Sequence, residues 1–167
     1  MRSIPRQHDL LVGLLLVQSL IERRSEGFFS SFGLTAAQFN ILNLLAQHEG
    51  RLEQAALVEL LLVGKSSVSI VLNRMVRDGL VKRAEHPEDR RRTLLNLTAK
   101  GKSAWLKILP SYEAGVKEVF GELPLSRRRA FLDDLKFLHD ALMKAAGTSP
   151  AIAENQWRSL LQPGRRA

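Results

Sequence analysis

No cysteine occurs in these 167 residues. Disulfides, zinc–thiolate sites and thiol redox sensing are therefore excluded, and nothing calls for an oxidising compartment. The histidines His8, His48, His86 and His139 are scattered, with no HxxxH or HExxH spacing, and no phosphate loop of the GxxxxGK type is present. His48 and Glu49 at a helix end read as a dipole partner and a solvated charge, not as an acid and base. No enzyme, cofactor or metal site is expected. Long hydrophobic runs are missing too. The apolar stretch Leu10 to Val17 follows Arg2 and Arg6 in the order of a secretory signal. However, Asp9 interrupts the approach, no small-x-small cleavage site follows, and Ile21-Glu22-Arg23-Arg24 continues the segment as an amphipathic helix. The uncharged stretch between Asp9 and Glu22 falls well short of the ~20 residues that a bilayer requires. No membrane association and a cytoplasmic location are expected.

What the chain has is an uneven distribution of positive charge. The formal net charge is +8 and the hydrophobic content 45%, enough apolar side chain for one domain of ordinary size. Residues 1–63 carry 5 basic and 6 acidic side chains, net −1; residues 64–102 carry 10 and 4, net +6; residues 103–167 carry 10 and 7, net +3. A solvated surface spreads its charge, whereas concentration in one short segment is the footprint of a polyanion-binding face. No aromatic side chain is interleaved from Lys82 to Arg92, so stacking on unpaired RNA bases has no platform there, and duplex DNA is favoured.

The hydrophobic periodicity predicts helices over most of the length. The first spans His8 to about Ser30, broken by Gly27 and the sequence FFSSFG ending at Gly33. Thr35 and Gln38 have capping-box spacing before a second helix with Phe39, Leu42, Leu45 and Ala46 inward, stopped by Gly50. A third runs from Leu52 to Leu62. After Leu62-Val63-Gly64-Lys65, a fourth begins near Ser66, with Val68, Val71, Leu72 and Met75 on one stripe and Ser66, Ser69, Ile70, Asn73 and Arg77 opposite. Leu80–Arg83 and Thr93–Leu97 have strand character and form a hairpin tipped by Glu88-Asp89-Arg90-Arg91-Arg92. Thr98 caps a helix running to Phe120, with Pro110 predicted to bend it. A last helix covers Ser126 to Ala146, and a tail follows with an amphipathic turn or two around Trp157, Leu160 and Leu161.

Two short helices followed by a basic hairpin are the order of a winged helix-turn-helix. The fourth helix fits the major groove of B-DNA and would offer small hydrogen-bonding side chains at its N-terminal end, where the helix dipole also favours phosphate. Lys65, Ser66, Ser67, Ser69 and Asn73 are the candidates there. The arginine-rich tip would reach the adjacent minor groove, and Asp89 would hold one guanidinium in a two-pronged pair that fixes its shape.

The stretch from Leu34 to Gly101, with LTAAQFNILNLL, LVELLLVGKSSVSIVLNRMVRDGLVKR and HPEDRRRTLLNLTAKG, resembles the MarR family of bacterial transcriptional regulators. The marks are Asp89-x-Arg91 with Leu97-Thr98 and Gly101, and Asp78-Gly79-Leu80-Val81 before the first wing strand. The resemblance implies a mostly α fold with a small β-hairpin wing. A single domain would span 1–147, with the winged lobe at 34–101, dimerisation helices at 8–30 and 103–147, and a tail at 148–167. It implies a homodimer that represses from a near-palindromic operator, with relief by a small-molecule effector. The alternative is a ligand-independent regulator controlled by a protein partner through the tail. Ser66, Ser67, Ser69 and Ile70 match groove-reading positions and Arg91 the wing arginine paired through Asp89. Lys65, Asn73, Arg77, Arg90 and Arg92 complete the expected DNA surface, and Phe28, Phe29, Phe32, Trp105 and Tyr112 are candidates to border an effector cleft. The family often has Arg or Lys where Ile70 stands, and a Ser or Thr cap where Glu53 stands.

Overall fold

The computed structural model describes residues 6–49, 52–61, 65–89 and 91–161. Arg90, Gly50 and the Leu62-Val63-Gly64 junction lie outside the described residues. The chain divides into two compact units at Phe39/Asn40.

The first unit is dominated by α1 (Gln7–Ser30). Its N-terminus is closed by the Asp9 carboxylate, which accepts from the Arg6 backbone N–H at 2.9 Å. The helix continues through Gly27, where a break was expected. A lone helical glycine costs only about 1 kcal/mol, less than the ring packing just beyond it supplies. Phe28 meets Phe29 edge-on at 5.0 Å between centroids, and buried Phe29 stacks on Phe39 at 4.8 Å. The chain turns instead at Gly33, whose φ of 70° is a region that side chains disfavour. The predicted capping box forms: Thr35 N–H donates to Gln38 Oε1 at 2.9 Å and Gln38 N–H to Thr35 Oγ1 at 3.2 Å, opening α2 (Ala36–Gln47). Leu10, Leu11, Leu14, Leu15, Val17, Leu20 and other apolar residues of α1 remain 40–59% exposed.

The second unit contains β1 (Leu52–Glu53), α3 (Gln54–Leu61), α4 (Lys65–Arg77), β2 (Val81–Glu85), β3 (Thr93–Leu97), α5 (Ala99–Phe120), α6 (Leu125–Ala145) and α7 (Pro150–Leu161). The strands form an antiparallel sheet in the order β1-β3-β2. This corrects the expectation of a helix from Leu52 and of a two-stranded hairpin. Leu52 and Glu53 pair with Leu95 and Leu94, giving β3 a neighbour on each side. A two-residue strand has no period for a sequence to display, and its buried leucine looks like one more turn of helix. The first wing strand starts one residue later than expected, because Leu80 is spent in the turn, and runs two residues further, to Glu85. Gly79, at φ 71°, ends α4 with its N–H on Val76 O and the Leu80 N–H on Met75 O, a Schellman closure. Leu57, Val68, Leu72, Met75, Leu80, Val81, Leu95 and Ile108 fill the core.

At the start of α5 the expected cap is present: Thr98 Oγ1 accepts from Gly101 N–H at 3.0 Å and donates to Gly79 O at 2.6 Å. Gly101 is buried directly against Leu80; a Cβ there would lie 2.0 Å from the Leu80 carbonyl oxygen. α5 passes through Pro110 without interruption.

The segment expected as a tail with an amphipathic turn or two is a three-turn helix, α7, lodged against α3 and α6. Gln156, 2% exposed, donates through Nε2 to Glu59 O at 2.6 Å, and its Oε1 lies 3.0 Å from His139 Nε2. Lys136 bridges Asp140 at 2.7 Å and Glu154 at 2.9 Å, and Trp157 packs against the His139 ring at 5.3 Å. Glu59 lies in the last turn of α3, where carbonyls lack helical partners, so Gln156 replaces one that folding removed from water. Gln156→Leu is expected to lower unfolding free energy by about 1–3 kcal/mol, the cost of stranding that carbonyl. A thermal melt superimposable on wild type would refute it.

Candidate nucleic-acid interface

The amphipathic division of α4 appears as the residue types predicted. Val68, Leu72 and Met75 are buried, whereas Ser66, Ser67, Ile70, Asn73 and Arg77 are exposed and Ser69 is half-buried. Lys65 is the first residue of the helix. Ile70 is 71% exposed. An apolar side chain projected this far from a folded lobe gains little burial from its own chain. Arg77 and Arg74 sit beside Asp78 at 3.9 and 3.7 Å, loose exposed pairs of little energetic weight.

Beside this helix the β2–β3 turn is shaped by two arginines with different partners. Asp89 accepts from the Arg91 backbone N–H at 3.0 Å, from its Nε at 3.1 Å and from Nη2 at 3.3 Å. The Arg91 side chain is nonetheless 91% exposed, so the carboxylate braces the guanidinium without covering it. Arg92 turns back onto the protein: its Nε donates to Glu53 Oε2 at 2.8 Å, and Nη2 engages the other carboxylate oxygen. Arg92 was expected on the DNA surface; its guanidinium instead ties the turn to β1. The Arg91 side-chain and backbone hydrogen bonds hold the Asp89 carboxyl below the usual range, and the Arg92 bond does the same for Glu53. Both carboxyls have depressed folded-state pKa values, so each contribution is present above the ordinary carboxylate range and is lost as pH falls through the folded value.

Sequence reasoning missed Arg83 and underrated Glu53. Arg83 Nη2 donates to Asn73 Oδ1 at 2.7 Å, joining the wing's first strand to the exposed face of α4. The two-residue period of β2 places Arg83 on the face of buried Val81, which was a usable signal. Glu53 was read only as a poor helix cap, since its partner lies 39 residues away.

The candidate effector residues fall in different units. Phe28, Phe29 and Phe32 cluster together in the first, with Phe28 and Phe32 rings 5.3 Å apart. In the second, Trp105 Nε1 donates to Asn43 Oδ1 at 3.2 Å, and burial pushes the Tyr112 hydroxyl pKa up. A cavity of about 230 Å³ is lined instead by His48, Leu52, Ala56, Glu59, Leu60, Ile152 and Gln156. Among the described residues, no group of three or more His, Asp or Glu side chains is arranged to hold a metal ion, and no helix is long and apolar enough to cross a membrane.

Residues 32–92 match the family model described as MarR family. The chain is 30% identical over 108 residues to the transcriptional regulator HosA of Escherichia coli O111:H-, covering 65% of this chain and 79% of that protein. It is 27% identical over 135 residues to the HTH-type transcriptional repressor YetL of Bacillus subtilis, covering 80% and 81%. Among solved structures it is similar to AbsC, a MarR family transcriptional regulator from Streptomyces coelicolor, at 28% identity and a TM-score of 0.69 over 88% of this chain and 97% of that one.

Proposed function

The chain belongs to the MarR family of transcriptional regulators, and from that premise we propose that it acts as a homodimeric repressor on a near-palindromic operator, relieved by a small molecule. In this reading α4 lies in the major groove, with Ser66, Ser67, Ser69, Ile70 and Asn73 toward the bases and Arg77 toward phosphates. Arg91 enters the neighbouring minor groove, and Arg92 serves as an anchor. The observation that carries the reading is the Asp89–Arg91 pair: a guanidinium fixed in direction yet 91% exposed is poised to insert into a narrow, electronegative groove.

Arg91→Ala is expected to weaken operator binding by about 1–3 kcal/mol, measured by titration of labelled duplex. Asp89→Ala should weaken it almost as much, although a negative charge is removed, because the finger loses its brace; tighter binding would mean that Asp89 merely repels. Affinity should also fall steeply as salt rises, since phosphate contacts release counterions. A salt-independent affinity refutes the whole interface.

Repression follows the similarity to YetL, and the dimer is supported by the apolar side chains exposed on α1 and, in the other unit, on α6, where Phe137 is 74% exposed. Effector relief is tested by titrating small aromatic compounds into the protein–operator complex, with release as the supporting result. Control by a protein partner through the C-terminal segment has a harder task than a free tail would present, because α7 would first have to leave α3 and α6.

A further inference from the structure

Asn73 lies on the exposed face of α4, three residues beyond Ile70, and β2 packs against that helix. A hydrogen bond joins the two elements here, from Arg83 Nη2 to Asn73 Oδ1, at 2.7 Å. Carboxamide oxygen and nitrogen are ordinarily difficult to tell apart. Here the partner settles the matter, because a guanidinium has five N–H donors and no acceptor. Only the oxygen of Asn73 is chemically able to face Arg83. The Arg83 backbone is fixed by the sheet, where it pairs across from Leu95, which is fully buried.

We infer that Arg83 is a positioning residue for sequence specificity: by occupying Asn73 Oδ1 it turns the Asn73 NH2 group outward, so that α4 presents a hydrogen-bond donor and rejects cytosine at the facing base. The inference rests on the reading that α4 lies in the major groove. An unrestrained asparagine offers donor and acceptor together and pairs two-pronged with adenine N6 and N7. An asparagine whose oxygen is taken by a cation offers its N–H groups. Guanine O6 and N7, adenine N7 and thymine O4 accept such a donor, whereas cytosine displays only its N4 amino group in that groove. Donor against donor leaves both groups without partners in a dehydrated contact, and that cost is the source of the discrimination.

Selection of bound duplexes from a random pool tests this with wild type, Asn73→Ala, Asn73→Asp, Arg83→Met and Arg83→Lys. The wild-type profile should contain one position per half-site at which cytosine is depleted about tenfold. Asn73→Ala should flatten that position, whereas Arg83→Met should remove the cytosine depletion and turn the preference toward adenine, because the released amide is free to pair with it. Arg83→Lys, which keeps a charge and a donor, should retain the depletion. Asn73→Asp presents oxygens only and should turn the preference toward cytosine, whose amino group it accepts. The Asp variant also decides the case if Arg83→Met does not fold. An Arg83→Met profile that keeps the depletion while all sites weaken alike is the signature of a phosphate contact and overturns the inference, as does an Asn73→Asp profile identical to wild type. Failure of the wild-type protein to enrich any sequence overturns the placement of α4 itself, a separate result.

Discussion

Gly101→Ala should leave the winged lobe unable to close, with a loss of stability at or beyond the upper end of the ~1–3 kcal/mol typical of overpacked cores. The added methyl would sit 2.0 Å from the Leu80 carbonyl oxygen. The obstacle is backbone, so no rotamer change relieves it. That carbonyl also accepts the Thr98 N–H at 3.1 Å, and the Leu80 N–H completes the closure of α4 on Met75 O. Moving either side therefore breaks the cap of α5 or the end of α4. Urea unfolding gives the free energy directly, and Gly115→Ala, where nothing lies within 4 Å of a new Cβ, is the matched control. A Gly101→Ala protein as stable as that control would mean that the close crossing is absent in solution.

Leu11→Asp with Leu14→Asp is expected to give a monomer that no longer holds a palindromic site. These two side chains are 53% and 40% exposed in the isolated chain, as are others along α1, and a folded protein rarely leaves so continuous an apolar surface uncovered. Covering one leucine side chain is worth about 1.5–3 kcal/mol at most, and in a two-fold assembly each substitution acts twice. Partial initial burial reduces the figure, yet the pair still predicts a loss of several kcal/mol, on the order of a thousandfold in dimer dissociation constant. Analytical ultracentrifugation reads the mass. A variant that remains a dimer at micromolar concentration would place the subunit contact elsewhere.

Local chemistry made much of this molecule readable. The Thr35–Gln38 box, the Thr98 cap, the Gly79 stop and the Asp89–Arg91 pair all join residues two or three positions apart or rest on a single backbone conformation. So did the stripe of α4, since a 3.6-residue period sorts Val68, Leu72 and Met75 from Ser66, Ile70 and Asn73. What escaped depends on partners distant in the chain. Leu52 and Glu53 are strand only because Leu94 and Leu95 lie alongside. Gln156 looks like any surface glutamine until Glu59 O and His139 meet it. Arg92 and Arg91 are indistinguishable as letters in a triple arginine, and the position of Glu53 decides which of them is spent inward.

The bond from Arg92 to Glu53 fastens the far side of the wing turn, while Asp89 fastens the near side. Arg91 and Arg92 are thus tied during folding, so the usual ordering cost of about 0.5–1.5 kcal/mol per immobilised side chain has been met for these two before any partner arrives. On the proposed reading, encounter with a duplex is a matter of charge-guided diffusion toward two side chains already in place, and complex lifetime is where substitutions of their partners should leave a kinetic mark.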